Sequence, residues 1–459
     1  MRIIVFGTGN VYMASREKLQ GMDIAAFLDN DPQKQGTYLE GRLIDAPENI
    51  GRYAYDCIVL ASVHYQEMRA QLEGMGIDKD LIIDRENRGY WSKIRRVESY
   101  GWAENSLADR KILLITHDLS LTGAPLMLYY GACILKEKGY GVSVYSKADG
   151  RLRYDYLHRG ISVSIFEEYD FREEEIRQYF GQYDLILANT VVLWGLVEKL
   201  EKMSVPVLWW LHEEDNAYDE YKVGRLPSYE NLHVYGVGNR AVTSYRKHGG
   251  KQEIGRLVYG IPYGRDTQRP PKRDCGGKII YAVIGYLSKR KGQDIFISAI
   301  EKNWERWKDQ AKFWVIGAAA PDQEKAMKAT GKAEMYGSVS HERMLELYKE
   351  IDVVVCPSRN DPMPVVLTEG MMHRKVCIAS DMTGTAELIT PFENGLVCRA
   401  DDIESLSQQI EWTINHRDRF EAIGECAYRT YQENFSLEQF SRRLLGIVGG
   451  MMHPGNTLN

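Results

Sequence analysis

The feature that most constrains the fold is the alternation of short apolar, β-branched runs with longer segments of helical pattern along the 459-residue chain. A buried run followed by an amphipathic segment predicts a strand and its crossover helix, and repeats of this unit build a parallel sheet. The runs that predict strands are residues 3–6, 24–28, 57–60, 81–83, 111–116, 185–188, 205–210, 232–237, 278–283, 313–316, 353–356, 376–379 and 396–398. The sequence therefore predicts an α/β protein, with a mainly helical tail from residue 402 to about 447.

Breaks in this alternation divide the chain into blocks, as its length leads us to expect. The first block is a small Rossmann-like domain over residues 1–90, and a polar, aromatic linker follows at 91–108. The other two blocks cover 109–265 and 266–459, and a segment rich in Pro, Gly and charge at 263–277 predicts a hinge between them. Two α/β domains joined by a hinge place a ligand in the cleft between them.

Composition excludes several classes of protein. The formal net charge of −6 gives no electrostatic reason to expect nucleic-acid binding. No run of 18 apolar residues is present, and Met1 leads directly into a predicted strand, so we expect neither a spanning helix nor a signal peptide. The seven cysteines lack a Cys-x-x-Cys pair, which favours a reducing cytoplasm. The cations Lys93, Arg95 and Arg96 leave open a peripheral contact with the inner face of the plasma membrane. The sequence leaves the oligomeric state open.

The most informative segment is the loop and short helix at residues 358–370, directly after a buried strand. Pro364 suits the first helical turn, where a missing N–H costs nothing. The free N–H groups of such a turn form an anion site suited to phosphate. Asp361 in the loop and Glu369 in the helix can accept hydrogen bonds from sugar hydroxyls, so the segment predicts a sugar-nucleotide site. The alternative is that Asp361 caps the helix and Glu369 lies on a solvated face.

This segment resembles the donor-binding signature of retaining glycosyltransferases of the GT-B fold, of the group 1 or family 4 type. Two Glu residues separated by seven others mark that family, and here Asp361 takes the first position and Glu369 the second. The resemblance covers residues 111–450 and implies two Rossmann-like domains that face each other across a cleft. It also implies that Glu369 holds the ribose, and that Asp361 and the backbone near Met363 and Pro364 orient the sugar.

A second motif lies at residues 285–294, where a strand, a glycine turn and a basic cluster precede a helix. Glycine lets the backbone approach a diphosphate, and cations neutralise the charge that develops on the leaving group. Lys291 matches the Lys of the resembled family, whereas Tyr286 stands where the family has Arg. We expect Arg290 or Lys289 to supply the second cation. The alternative is a solvated basic turn.

Two features of the middle block complete the expected site. Gly123 lies in the loop at 116–125, which resembles the family's loop that closes on the donor diphosphate. His212 stands at the carboxyl end of a predicted strand, where it can bond the transferred sugar or the acceptor hydroxyl. A lone His is more often structural, but the strand end and the family pattern favour a functional role. In the third block, Thr383 to Thr385 border the expected nucleotide pocket, and Glu387 is expected to be structural.

The first block contains Gly7 and Gly9 after its first strand and Asp29 after its second, a spacing typical of dinucleotide-binding turns. Tyr12 occupies the position of the third glycine, which weakens the match. The block resembles small Rossmann-like domains fused to sugar-modifying enzymes. It is expected either to bind a nucleotide or coenzyme, or to serve as a scaffold.

The leading hypothesis is a metal-independent, retaining glycosyltransferase of hexosyltransferase type, with His212, Asp361 and Lys291 as catalytic residues. It would move a sugar from a UDP- or GDP-linked donor to a glycan or lipid-linked acceptor in polysaccharide or glycoconjugate synthesis, without a cofactor. One alternative is a non-catalytic sugar-nucleotide sensor, which the departures at Asp361 and Tyr286 motivate. The other is an NAD-linked oxidoreductase that uses the first block. The sequence specifies neither base, sugar nor acceptor.

Overall fold

The computed structural model describes residues 2–9, 11–13, 19, 22–84, 97–101, 109–166, 171, 173–263, 277–320 and 331–452. The chain divides into two compact units. The first unit comprises Met1–Tyr100 and Ser164–Tyr169, and the second comprises Gly101–Val163 and Asp170–Asn459. Each unit is an α/β structure built on parallel sheets, so the predicted fold class is confirmed.

The first unit contains a six-stranded sheet in the order β3-β4-β2-β1-β5-β6. Its elements are β1 Arg2–Phe6, β2 Asp23–Leu28, β3 Tyr38–Leu39, β4 Arg42–Asp45, β5 Cys57–Leu60, α1 Tyr65–Gly74 and β6 Ile82–Ile83. Only the β3–β4 pair is antiparallel among the pairs described. Successive side chains of a strand point to opposite faces. Accordingly, Ile3 and Val5 pack in one core cluster, and Ile4 and Phe6 pack in another.

The predicted linker at 91–108 is described only in part. Residues Val97–Tyr100 form strand β7, which the polar composition of the segment did not indicate. The cations Lys93, Arg95 and Arg96 lie outside the described residues, as does most of the predicted hinge at 263–277. The peripheral membrane contact therefore stays a prediction.

The first sheet of the second unit has the strand order β14-β13-β12-β11-β8-β9-β10. Its elements are β8 Lys111–Thr116, α2 Gly123–Glu137, β9 Gly141–Ser146, α3 Leu152–His158, β10 Ser162–Phe166, α4 Glu173–Phe180, β11 Leu185–Asn189, α5 Trp194–Lys199, β12 Val207–Leu211, α6 Asp215–Glu220, β13 Leu232–Gly236, α7 Asn239–Lys247 and β14 Ile254–Arg256. The strand order reverses between β8 and β11. A crevice is therefore expected outside their carboxyl ends.

The second sheet of this unit has the order β17-β16-β15-β18-β19-β20, and every pair is parallel. Its elements are β15 Ile279–Ile284, α8 Gln293–Trp307, β16 Ala311–Ile316, β17 Glu334–Gly337, α9 His341–Glu350, β18 Val353–Cys356, α10 Val365–Met372, β19 Val376–Ser380, β20 Leu396–Cys398, α11 Ile403–Asn415, α12 Phe420–Asn434 and α13 Leu437–Met452. Here the order reverses between β15 and β18. The loops that follow these two strands are therefore brought together.

Helix α13 returns from the second sheet to pack on the first. Its Phe440 ring stacks on Trp210 at a centroid distance of 5.5 Å. A Cβ atom at Gly131 of α2 would lie 3.4 Å from Leu444 Cδ2, so the two helices are in close contact. The two sheets of the second unit are thereby joined by the end of the described chain.

Candidate active site

The loops that follow β15 and β18 are fastened together. Gly292 has φ +71°, and a Cβ atom there would lie 2.1 Å from the carbonyl oxygen of Pro357. Only glycine permits so close an approach in this backbone conformation. The N–H of Arg359 donates to the carbonyl of Arg290 at 2.8 Å. The Arg359 guanidinium also pairs with Asp294 in a bidentate contact at 2.8 and 2.7 Å. These bonds fix the basic cluster beside the acidic loop.

The basic cluster and Asp361 form one electrostatic group. Lys291 Nζ lies 2.5 Å from Asp361 Oδ2, and an Arg290 guanidinium nitrogen lies 3.4 Å from the same oxygen. Asp361 is only 5% exposed, so its charge depends on these partners. Arg290, rather than Lys289, approaches the carboxylate, and Tyr286 is 60% exposed. Lys291 and Arg290, the candidate phosphate ligands, therefore lie in contact with Asp361, the candidate sugar ligand.

Helix α10 begins one residue later than the sequence indicated. Pro364 is the residue before the helix, with φ −67° and ψ 119°, and no side chain caps the first turn. Asp361 thus does not cap this helix, which removes that alternative for it. Glu369 is half-buried and accepts a hydrogen bond at 2.8 Å from the hydroxyl of Tyr348. Burial raises the pKa of Glu369 despite this bond.

Residues of the domain built on the first sheet, Gly123 and Tyr259, contact the start of α10. A Cβ atom at Gly123 would lie 3.9 Å from Val365 Cγ2, the one atom of the described part of the chain within 4 Å of that position. The hydroxyl of Tyr259 hydrogen-bonds with Thr368 Oγ1 at 2.9 Å and donates to the carbonyl of Met363 at 3.3 Å. The structure therefore brings Gly123, Met363 and the beginning of α10 together.

His212 follows β12 and packs against Trp210, with ring centroids 4.3 Å apart. Its Nε2 atom is buried and has no hydrogen-bond partner among the described residues. Burial, together with the nearby His117, lowers the pKa of His212 to about 3, so its imidazole is neutral at physiological pH. A neutral imidazole nitrogen without a partner can accept or donate one hydrogen bond to a ligand.

The next residue, Glu213, is a titratable group that the sequence analysis did not single out. Its Oε2 atom accepts the backbone N–H groups of Val191 and His212, both at 2.9 Å. Burial raises the pKa of Glu213 to about 7, although these hydrogen bonds act in the opposite direction. Its position next to His212 at a strand end is the sequence feature that could have indicated Glu213 as a site residue.

Glu214 and Arg240 form an ion pair that the sequence did not predict. Arg240 Nε donates to Glu214 Oε1 at 2.6 Å, and Arg240 Nη2 donates to Glu214 Oε2 at 3.1 Å. Burial raises the pKa of Glu214, and the negative charge of Asp361 contributes to the same shift. Glu214 therefore lies close enough to Asp361 to feel its charge. Arg240 is on α7, and nothing in its sequence neighbourhood indicated this role. The neighbouring Asn239 donates to Glu387 at 2.5 Å, which supports a structural role for Glu387.

The expected nucleotide border is close to the same loop. Thr385 Oγ1 contacts the sulfur of Met363 at 3.4 Å, and the Thr383 hydroxyl donates to the carbonyl of Ser380.

No cluster of three or more His, Cys, Asp or Glu with the geometry of a metal site occurs among the residues that the structure describes. Within those same residues, no helix is both long and apolar enough to cross a bilayer.

Family models match each block of the chain. Residues 264–430 match the model described as glycosyl transferases group 1, and residues 108–257 match glycosyl-transferase family 4. Residues 1–83 match the model described as C2185-like, N-terminal. The chain belongs to the group 1 glycosyltransferases of the GT-B fold. The additional N-terminal domain expected from the sequence is thereby confirmed for this glycosyltransferase.

Curated relatives of this glycosyltransferase include two sugar transferases of known name. An alpha-D-kanosaminyltransferase of Streptomyces kanamyceticus is 27% identical over 37% of this chain and 45% of its own length. The lipopolysaccharide core biosynthesis mannosyltransferase LpcC of Rhizobium leguminosarum bv. viciae is 28% identical over 38% of this chain and 52% of its own length. The matched region thus spans about half of each relative.

Solved structures share the fold of this glycosyltransferase. Anabaena Alr3699/HepE in complex with UDP and glucose covers 74% of the chain and 100% of its own, with TM-score 0.61 and 18% identity. WaaG, a glycosyltransferase involved in lipopolysaccharide biosynthesis, has TM-score 0.57 and 12% identity over 74% of the chain and 100% of its own. At these identities the likeness establishes the GT-B fold alone.

Proposed function

We propose that this glycosyltransferase transfers a hexose, with retention of configuration, from a UDP- or GDP-linked sugar to a glycan or lipid-linked acceptor. The observation that carries the proposal is the group formed by Lys291, Arg290 and Asp361 beside the start of α10. Cations, free helical N–H groups and a carboxylate at one place suit a sugar diphosphate. The HepE structures in complex with UDP and with UDP-glucose support a nucleotide-sugar donor.

The donor diphosphate would lie against Lys291 and Arg290, and Glu369 would accept hydrogen bonds from the ribose. Lys291 and Asp361 are in contact, so a phosphate that binds Lys291 brings the sugar ring to the carboxylate. Asp361 can then accept from a sugar hydroxyl. Lys291 gains most when the bond to the sugar breaks, because negative charge accumulates on the leaving phosphate at that moment.

His212 is proposed to meet the transferred sugar or the acceptor hydroxyl. Its neutral ring and its Nε2 atom without a partner provide one hydrogen-bonding position at the strand end. In the proposed mechanism the acceptor hydroxyl attacks on the face that the phosphate leaves, and the departing phosphate takes up the hydroxyl proton. No cofactor and no metal ion take part in this proposal, and we place the reaction in the cytoplasm, in polysaccharide or glycoconjugate synthesis.

A sugar-nucleotide sensor is the second candidate. The exposed Tyr286, where the resembled family has Arg, favours it, because the leaving group then has one cation fewer nearby. An assay for turnover distinguishes a sensor from a transferase. Release of UDP or GDP from a panel of sugar nucleotides, in the presence of candidate glycan and lipid-linked acceptors, identifies the transferase. Proton NMR of the product gives the anomeric configuration, and an inverted product would refute retention.

The role of Lys291 is tested with a matched neighbour. Lys291→Ala should lower kcat by about 10²-fold or more while it weakens binding of the nucleoside diphosphate less, because the lost cation acts mainly on the transition state. Lys289→Ala removes an adjacent, exposed cation and should leave turnover unchanged. EDTA should leave the wild-type rate intact. Equal rates in the two lysine variants would contradict the assignment.

A further inference from the structure

The first unit contains a cleft that the proposed transfer reaction does not use. Its volume is about 510 Å³, within the range of small-molecule sites. It opens outside the carboxyl ends of three parallel strands, β1, β2 and β5. Residues from all three strand ends line it: Gly7, Thr8, Gly9, Asp29, Ala61 and Ser62.

Sheet topology explains why a cleft forms here. From β1 the chain proceeds to β2 on one side and later returns to β5 on the other, so the strand order reverses between β1 and β5. Tyr12, which follows β1, packs in the core cluster on one face of the sheet, whereas Leu72 of α1 packs in the cluster on the opposite face. The connections that follow neighbouring strands therefore diverge and leave a crevice, which is where ligands bind in open α/β sheets.

The turn after β1 requires glycine at its first position. Gly7 has φ +102°, and a Cβ atom there would lie 2.9 Å from the carbonyl oxygen of Ala61. This close approach closes the floor of the cleft against β5. Among the described residues, no atom would lie within 4 Å of a Cβ atom at Gly9, so the second glycine leaves space in the cleft. Gly7 therefore allows the ends of β1 and β5 to approach each other, whereas Gly9 leaves space that a ligand can fill.

Asp29 holds this turn and a cation in place. It is 7% exposed, and its Oδ2 atom accepts from the Thr8 N–H at 2.9 Å, from the Thr8 hydroxyl and from Lys34 Nζ at 3.0 Å. Its Oδ1 atom accepts from the Asp31 N–H at 2.9 Å. Burial would raise the pKa of Asp29, but these hydrogen bonds outweigh burial and hold it below its ordinary value. The carboxylate is therefore charged and rigid, and Lys34 is fixed at the mouth of the cleft.

We propose that this cleft is a second nucleotide site, which binds a ribonucleoside diphosphate group carried by either a sugar nucleotide or a dinucleotide coenzyme. Lys34 would pair with the phosphates that pass over the open backbone at Gly9. Asp29 Oδ1 accepts one described hydrogen bond, so it has capacity for a ribose hydroxyl. The site lies in the first unit and is separate from the donor site of the second unit, so the chain would bind nucleotides at two places.

The test uses the full chain and isothermal titration with UDP, UDP-glucose and NAD⁺ as probes. Gly9→Leu places a side chain in the open space of the cleft without requiring a strained backbone. Gly51→Leu is the matched control, because a Cβ atom at Gly51 also meets none of the described residues within 4 Å and Gly51 lies outside the cleft lining. Lys34→Glu removes the cation that pairs with Asp29 at 3.0 Å and repels phosphate, so it replaces Gly9→Leu if that variant does not fold.

We expect at least one probe to lose binding in the Gly9→Leu and Lys34→Glu chains, by about tenfold or more in affinity. That binding should persist in Gly51→Leu and in Lys291→Ala, which affects the donor site. Loss of UDP and UDP-glucose identifies a sugar nucleotide, and loss of NAD⁺ identifies a coenzyme. If folded Gly9→Leu and Lys34→Glu chains bind all three probes as the wild type does, the proposal is wrong. It is also wrong if Glu369→Ala, which removes the proposed ribose acceptor of the donor site, abolishes all probe binding.

Discussion

Replacement of Glu369 by Ala should weaken nucleoside-diphosphate binding and leave the protein folded. The side chain is half-buried on α10, and one of its two carboxylate oxygens is already bonded to the hydroxyl of Tyr348. The other oxygen is the proposed ribose acceptor. Loss of a hydrogen bond to a charged group costs about 1.5–3 kcal/mol, and each 1.4 kcal/mol is about tenfold in the dissociation constant. We therefore expect UDP or GDP affinity to fall by about 10- to 150-fold.

Tyr348→Phe separates positioning from direct contact. It removes the hydrogen bond at 2.8 Å but leaves both carboxylate oxygens in place. The loss of this bond raises the pKa of Glu369 further, since the hydroxyl stabilises the charged form. A protonated carboxyl is the poorer acceptor for a ribose hydroxyl. Affinity in the Tyr348→Phe chain should thus fall more at acidic than at alkaline pH, whereas Glu369→Ala should be equally weak at both.

Isothermal titration at two pH values measures both effects. Glu346→Ala is the matched control, because Glu346 is exposed on α9 and pairs only with Lys349 at 2.6 Å among its described contacts. Its affinity for the nucleotide should equal that of the wild type. Unchanged affinity in a folded Glu369→Ala chain would refute the ribose assignment. A pH-independent loss in Tyr348→Phe would refute the positioning role.

Three further predictions concern other residues of the second unit. Gly123→Trp should abolish turnover, because its side chain enters the space beside Val365, whereas Gly195→Trp, which has open space at its Cβ position, should keep it; equal activity of the two variants would place Gly123 away from the donor. The pKa of Glu213 is raised to about 7 in the folded state, so the folded protein binds the proton more tightly than the unfolded chain. Stability should thus fall as pH rises from the unfolded value through about 7, and Glu213→Gln should remove up to about 3 kcal/mol of that fall. Thermal unfolding from pH 5 to 8 checks this, and parallel curves for both proteins would contradict it. Finally, a chain that starts at Ala108 should still bind the donor nucleotide with wild-type affinity; a folded chain that binds none would mean that the first unit contributes to the site.

The sequence predicted most of the buried strands, but it missed the buried β9 as well as the short strands β3 and β4. Residues 353–356 and 111–116 were assigned as strands with the bounds that the structure has. Strands buried on both faces of a parallel sheet are continuous apolar runs, which distinguish them from their surroundings. By contrast, Tyr38–Leu39 and Arg42–Asp45 were not assigned. They are short, and several of their side chains face solvent, so no hydrophobic pattern marks them.

The candidate site was predictable where topology alone sets proximity. Lys291 and Asp361 follow neighbouring strands at a reversal of the strand order, so their proximity follows from the βα pattern. Arg240 and Glu214 also follow neighbouring parallel strands, β13 and β12, but no motif in the sequence distinguished either residue from the other polar residues at that edge. Sequence patterns locate the carboxyl edge of a sheet, but the partner of each side chain depends on rotamers and on neighbouring helices.

The return of α13 to the first sheet has a consequence for synthesis on the ribosome. Gly131 of α2 and Trp210 of β12 contact Leu444 and Phe440, which are made long after them. At about 5–20 residues per second, the face that α13 covers waits on the order of 10–60 s for its partner. During that interval an apolar surface of the nascent chain is open to water. This half of the enzyme therefore offers chaperones a binding surface that disappears only when the last helix emerges and docks.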